Sequence, residues 1–230
     1  MQGFLSSSWF IYVGIPMLIA LYAQWRVKSA FAKYSQIRAS ANITGADTAR
    51  EILNAAQIHD VDVVEINGFL GDHYDPMHKR LCLSSETYNT PSLAAVGIAA
   101  HEVGHAIQHA KAYAPLNIRM AVVPATQLVS RAWYFITFGG LFILHSPLIA
   151  GLGVACFLVV AFFQLITLPV EFDASRRAKI ILQQMGIVQA GEEAAGVNRM
   201  LNAAALTYVA AFIAALGNLL WLLSMTQRRN

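Results

Sequence analysis

Four long apolar stretches constrain this chain more than any other feature: Phe4 to Trp25, Ala121 to His145, Ile149 to Val170, and Ala203 to Met225. A helix needs about 20 mostly apolar residues to cross a bilayer, and each stretch approaches or reaches that length. None of the 13 acidic residues falls inside these limits, and Arg131 is the one basic residue that does. Lipid imposes such a distribution, because a charge at mid-membrane costs about 3 kcal/mol even on the most lenient insertion scale. Charged residues make up 13% of the chain, against about a quarter in a soluble domain. The expectation is a mainly α, multi-pass membrane protein with about four transmembrane helices, organised as a single domain over residues 1–230.

Orientation follows from the basic residues. Arg26, Lys28, Lys33, Arg38 and Arg50 follow the first span and place residues 26–120 in the cytoplasm, with the N-terminus outside. The second and third spans form a hairpin that turns near His145-Ser146-Pro147 or at Gly151 to Gly153. Residues 171–202, with Arg176, Arg177 and Lys179, return to the cytoplasmic side. Four spans leave Gln227-Arg228-Arg229-Asn230 outside, mildly against the positive-inside rule. Met1 to Phe10 lacks the basic flank of a secretory signal and has no small-residue cleavage site, so the first span reads as a retained anchor. Trp9, Trp25, Trp133 and Trp221 lie near span ends, where indole rings anchor at the interface. Arg131 marks the start of the second span or snorkels to the headgroups.

The net charge of +3 does not point to nucleic acid, because the bases flank the spans and form no stripe with aromatics. Cys82 lies in polar sequence and Cys156 in an apolar span, which supports neither a disulfide nor a cysteine metal site.

The cytoplasmic sequence carries its own local signals. Thr44 or Asp47 caps a helix over Thr48 to Gln57. Val61, Val63, Val64 and Ile66 are β-branched and predict a strand, and Asn67-Gly68 a turn. Arg80 to Ser84 predicts a second short strand, so a small hairpin or sheet is expected, with Gly71 to Pro76 as a loop between. Arg80 to Ser84 would offer an edge to an extended peptide or, equally, only complete a small sheet. A further helix begins near Pro91-Ser92 and runs to about Ala112.

That helix carries His101-Glu102-Val103-Gly104-His105, an H-E-x-x-H sequence. Residues four apart share a helix face, so both imidazoles can reach one metal ion. Zinc held by three protein ligands lowers the pKa of a water in its fourth position to ~7. Glu102, next to the first ligand, is placed to take that water's proton and deliver it to the leaving amine. His109 lies on the same face, but one rigid helix cannot wrap three turns around one ion. Metzincins need glycine and histidine three and six residues after the second ligand. Gln108 and Lys111 stand there instead, so that class is excluded.

Glu171 is the expected third ligand. Two spans separate it from His105, and an even number of crossings returns the chain to its starting side. Pro169 and the rigid span before it would anchor the carboxylate. The competing reading is an interfacial acid near Arg176 and Arg177. His73 and Tyr74 are candidate donors to an oxyanion, unless Asp72 and Asp75 simply build a turn around Pro76. His59, His78 and His145 read as surface residues.

His101 to His105, together with Glu171-Phe172-Asp173-Ala174-Ser175 after Leu168-Pro169-Val170, resembles the bacterial membrane-bound neutral zinc metallopeptidases, the YugP-like family. Asp72 to Pro76 and Ala99 to Gln108 match that family too. The resemblance covers nearly the whole chain. It implies a membrane zinc peptidase with His101, His105 and Glu171 as metal ligands and Glu102 catalytic. A looser similarity links the chain to the CAAX-processing and HtpX-type membrane peptidases, whose E-x-x-A-D is met only in part. Their closing aspartate falls on Ser175 or is shifted to Asp173.

The function expected is a zinc-dependent endopeptidase of the cell membrane, with its active site at the cytoplasmic face and proteins or peptides, soluble or membrane-associated, as substrates. A zinc-stabilised non-catalytic scaffold is the first alternative. An intramembrane site-2-type protease is the second, disfavoured by polar sequence on both sides of the histidines and by the lack of Asp-Gly in the later spans. A regulatory partner or a homo-oligomer could restrain such an enzyme.

Overall fold

The computed structural model describes residues 7–68 and 71–227. The expected start of the first span at residues 4–6, the N-terminal flank before it, and Arg228 and Arg229 lie outside the described residues. In chain order the elements are α1 (Ser7–Trp9), a π-helical turn (Phe10–Gly14), α2 (Ile15–Tyr34), α3 (Gly45–Ala55), β1 (Asp62–Ile66), β2 (His73–Asp75), β3 (Arg80–Ser84), α4 (Ser85–Asn89), α5 (Leu93–Ala110), α6 (Ala114–Phe138), a second π-helical turn (Gly139–Ile143), α7 (Pro147–Gln184) and α8 (Glu192–Gln227). The chain is mainly helical, as its composition implies.

Two compact units divide these elements. One comprises Trp25–Asn117 and Pro169–Leu206, and its core is built from Phe31, Ile52, Leu53, Leu81, Leu83, Val96, Val103, Leu182, Val197 and Leu201 among others. Side-chain oxygens start its helices. Thr44 Oγ1 accepts from Asp47 N at 3.1 Å, which makes Thr44 the cap of α3, and Ser92 Oγ does the same for Ala95 N in α5. Each satisfies a backbone donor that has no partner within the helix.

The sheet order is β1-β3-β2. β1 runs parallel to β3 in the register Asp62↔Arg80 to Ile66↔Ser84, and β2 runs antiparallel to β3 with His73↔Cys82. One expectation is corrected here and one open alternative is decided. Residues 73–75, read as loop, form a strand: Asp72 accepts from Ser84 N at 2.8 Å and ties the segment beside β3, a long-range contact that local sequence does not encode. Arg80–Ser84 offers no edge, because both its sides are paired. Leu81 and Leu83 are accordingly fully buried, and the open edges belong to β1 and β2.

The second unit comprises Met1–Gln24, Ile118–Leu168 and Thr207–Asn230. Val154, Phe157, Ala161, Ala215 and Leu222 form its core, with Trp133 and Phe138 packed against it. Many large apolar side chains face outward, among them Leu18, Leu128, Phe135, Leu148, Leu158 and Phe162. Water would penalise such a surface and lipid does not. Small residues set the helix contacts. A Cβ on Gly153 would lie 2.1 Å from Thr137 Oγ1, and one on Gly217 would lie 2.0 Å from Tyr12 O. Close backbone approach of this kind replaces the hydrophobic effect as the source of packing in lipid. Gly151 and Gly153 are helical, so the hairpin turn falls at residues 144–146, and Pro147 opens α7 where its missing N–H costs nothing.

Among the described residues, three helices are long and apolar enough to cross a membrane: Ser7–Tyr34, Leu148–Gln184 and Glu192–Met225. The remaining expected span, 121–145, falls on α6 and the π-helical turn. Gln127, Ser130 and Arg131 dilute its apolar character, and Pro124 sits inside it.

Gly104 makes a close contact between α5 and α7 in the first unit. A Cβ there would lie 2.8 Å from Ala174 O and 3.1 Å from Ala174 Cα, so α5 and α7 touch backbone to backbone. Gly104→Ala should therefore destabilise the protein by about 1–3 kcal/mol through overpacking. Gly151→Ala, with nothing within 4 Å of its Cβ, should leave the thermal midpoint unchanged or raise it. Thermal unfolding of the two purified variants checks the contrast.

Candidate metal centre

Packing α5 on α7 brings three distant donors together. His101 and His105 project from one face of α5, with ring centroids 4.8 Å apart. Glu171 projects from α7, two residues past Pro169. Its Oε2 lies 3.2 Å from His101 Nε2 and 3.5 Å from His105 Nε2. One ligand atom from each of the three residues lies within 4.8 Å of the others, an arrangement able to hold a metal ion. The trio is buried, with Glu171 only 2% exposed. A buried carboxylate needs a cation or strong donors to offset its lost hydration. Arg176 and Arg177, beside which an interfacial acid was the competing reading of Glu171, both bond to Asp173.

The far side of each imidazole is also engaged. His101 Nδ1 lies 3.1 Å from Ser175 Oγ. His105 Nδ1 lies 3.0 Å from Gln108 Oε1, and Gln108 Nε2 donates to Val170 O at 2.8 Å and to Asp173 Oδ2 at 3.0 Å. Sequence reading missed these supports. It met Gln108 only as a residue that is not glycine, and Ser175 only as a place where an aspartate was absent. The available signal was position: Gln108 is a polar residue on the buried face of an apolar helix, three residues after His105. Asp173 takes its part through Gln108 and not through an imidazole.

Glu102 is not a member of the metal-holding group. It is buried beside it, and its Oε2 accepts from Tyr74 N at 3.0 Å. Strand β2 therefore delivers a backbone donor to this carboxylate, which explains why Tyr74 belongs to the site even though its side chain points elsewhere. The Tyr74 hydroxyl lies 2.9 Å from His109 Nδ1. Burial, then the charges of Asp60 and Asp75, push its pKa up to about 12, so it remains a donor at neutral pH. His73 is exposed, and its Nδ1 bonds Gly71 O at 2.8 Å. Asp75 builds the turn that follows, accepting from Met77 N and His78 N. His59, His78 and His145 are exposed, as expected of surface residues.

Two imidazoles and one carboxylate, with a further carboxylate alongside, match the donor set of catalytic zinc sites. The hydrogen bonds behind both rings fit as well, since metal-binding histidines characteristically bond through the other nitrogen. Burial pushes the His105 imidazole down, but the carboxylates of Glu171 and Glu102 outweigh it and leave the pKa above its usual value.

The chain is similar to known proteins over most of its length. The family described as "Putative neutral zinc metallopeptidase" matches residues 9–227. The "Putative membrane protease YugP" of Bacillus subtilis (strain 168) is 45% identical over 212 residues, which are 92% of this chain and 93% of that protein. No solved structure matches.

Glu171→Ala should weaken zinc binding by more than the about 10–100-fold typical of losing an outer hydrogen bond, measured by chelator competition. Affinity should also fall with acid. A protonated imidazole cannot bind, and His105 holds its proton to higher pH than a free histidine, whose pKa is about 6.5. The decline should thus begin near neutrality.

Proposed function

The chain belongs to the putative neutral zinc metallopeptidase family, and from that premise we propose that it is a zinc-dependent endopeptidase of the cell membrane, with Glu102 as general base and its active site at the cytoplasmic face. The convergence of His101, His105 and Glu171 beside a second carboxylate, Glu102, carries the proposal.

His101, His105 and Glu171 would hold the ion. When bound, zinc supplies a Lewis acid that acidifies water to ~7 and polarises a carbonyl. Glu102 then accepts the water's proton and returns it to the departing amine. The Tyr74 backbone N–H, bonded to Glu102, holds that carboxylate in place. His73, on an edge strand beside the base, and Tyr74, once its hydroxyl leaves His109 Nδ1, are the proposed donors to charge developing on the substrate's oxygen.

Membrane placement rests on the three apolar helices and the name of the relative. We assign α6 with its π-helical turn as the fourth span. Residues 118–168 leave the metal-bearing unit and rejoin it at Pro169, and a chain that departs and returns to one side makes an even number of passes. The cytoplasmic face is inferred from Arg26, Lys28, Lys33, Arg38 and Arg50 after the first span. Substrates on this reading are proteins or peptides at that face, including membrane-associated ones, and a regulatory partner or self-association would restrain the enzyme.

Cleavage of a denatured protein and of a membrane-tethered one by purified enzyme tests the proposal. Glu102→Gln should keep its zinc yet lose about 10²–10⁴-fold in kcat/KM, the usual worth of a general acid–base group. Equal cleavage by both forms, insensitive to chelator, would sink it.

A further inference from the structure

Each imidazole of the centre turns Nε2 toward Glu171, so each must carry its proton on Nδ1 if Nε2 is to offer a lone pair. A neutral imidazole can hold that proton on either nitrogen. At His101 the neighbour is the Ser175 hydroxyl, which both donates and accepts, so it permits the right form without imposing it.

At His105 the neighbour is an amide whose direction is dictated. Gln108 is fully buried. One end of its amide faces Val170 O and Asp173 Oδ2, at 2.8 and 3.0 Å. The first is a carbonyl and the second a carboxylate paired with two guanidinium groups, Arg177 Nε at 2.5 Å and Arg176. Two acceptors demand the NH₂ end. A flipped amide would set oxygen against oxygen twice, leaving buried acceptors unpaired. The Oε1 end is therefore left for His105 at 3.0 Å. An amide oxygen only accepts, so the hydrogen in that bond must come from Nδ1 of the ring, and in the neutral ring Nε2 is then bare.

We propose that Gln108 and Asp173 are positioning residues that form a relay: Asp173 sets the direction of the Gln108 amide, and Gln108 thereby sets the metal-binding tautomer of His105. The proposal rests on the reading that His105 binds zinc, and it names what prepares that ligand. It also assigns a use to the aspartate that sits two places short of the looser family pattern.

A double-mutant cycle on the full-length protein separates a relay from two unrelated structural contributions. Zinc affinity is measured by chelator competition for wild type, Gln108→Leu, Asp173→Ala and the double variant. Gln108→Leu should weaken binding about 10–100-fold. Asp173→Ala should weaken it less, and should cost nothing more once Gln108 is gone. Independent, multiplying losses would overturn the relay. Asp173→Asn preserves shape if the other variants fold poorly. It should weaken binding roughly threefold to tenfold and shift the Nδ1–H resonance of His105 in ¹⁵N-histidine spectra of the zinc-loaded protein. No change in either would also overturn it. His105→Ala is the control: undiminished zinc there refutes the metal reading itself, whereas lost zinc beside a Gln108→Leu variant that binds like wild type refutes the relay alone.

Discussion

The centre depends on two helix backbones meeting where a side chain is absent. Gly104 lies between the two histidines, and the backbone of Ala174 occupies the space its Cβ would need. Any larger residue would hold α7 away from α5, and Glu171 with it. Hydrogen-bond reach is lost within an ångström or so, so the trio tolerates little separation. The cost of this closeness is a carboxylate nearly sealed from water, and the surrounding imidazoles, Gln108 and Ser175 form the polar shell that makes such burial affordable.

How much of this was legible in the sequence varied with how local each signal is. Arg80–Ser84 emerged with the bounds its residues suggested, and the helix carrying the histidines ended within two residues of expectation, because alternation and capping are written locally. The pairing of His101 with His105 follows from helical spacing alone. Glu171 needed a counting argument about crossings, and the structure places its carboxylate against both rings. The strand at residues 73–75 was illegible because it exists only through β3 and the anchoring of Asp72. Gln108 and Ser175 were illegible as supports for the same reason: their partners lie 62 to 74 residues away. Sequence patterns name residues that carry chemistry more readily than those that aim it.

The two units solve different packing problems with the same small residue. In the unit built from residues 25–117 and 169–206, large aliphatic side chains fill a core that water would otherwise reach, and Gly104 gives the centre its close backbone contact. In the other unit much aliphatic bulk points outward, and glycines at 153 and 217 provide the close contacts. That inversion is what a change of solvent from water to lipid requires.

The separation of the donors along the chain has a bearing on biosynthesis. Glu171 follows His101 by 70 positions, so a ribosome delivers both imidazoles well before the carboxylate that completes the set. Until the intervening hairpin has been made and folded back, the nascent polypeptide holds two donors and no closed centre. The centre can therefore close only after residue 171 has emerged and α7 has packed on α5.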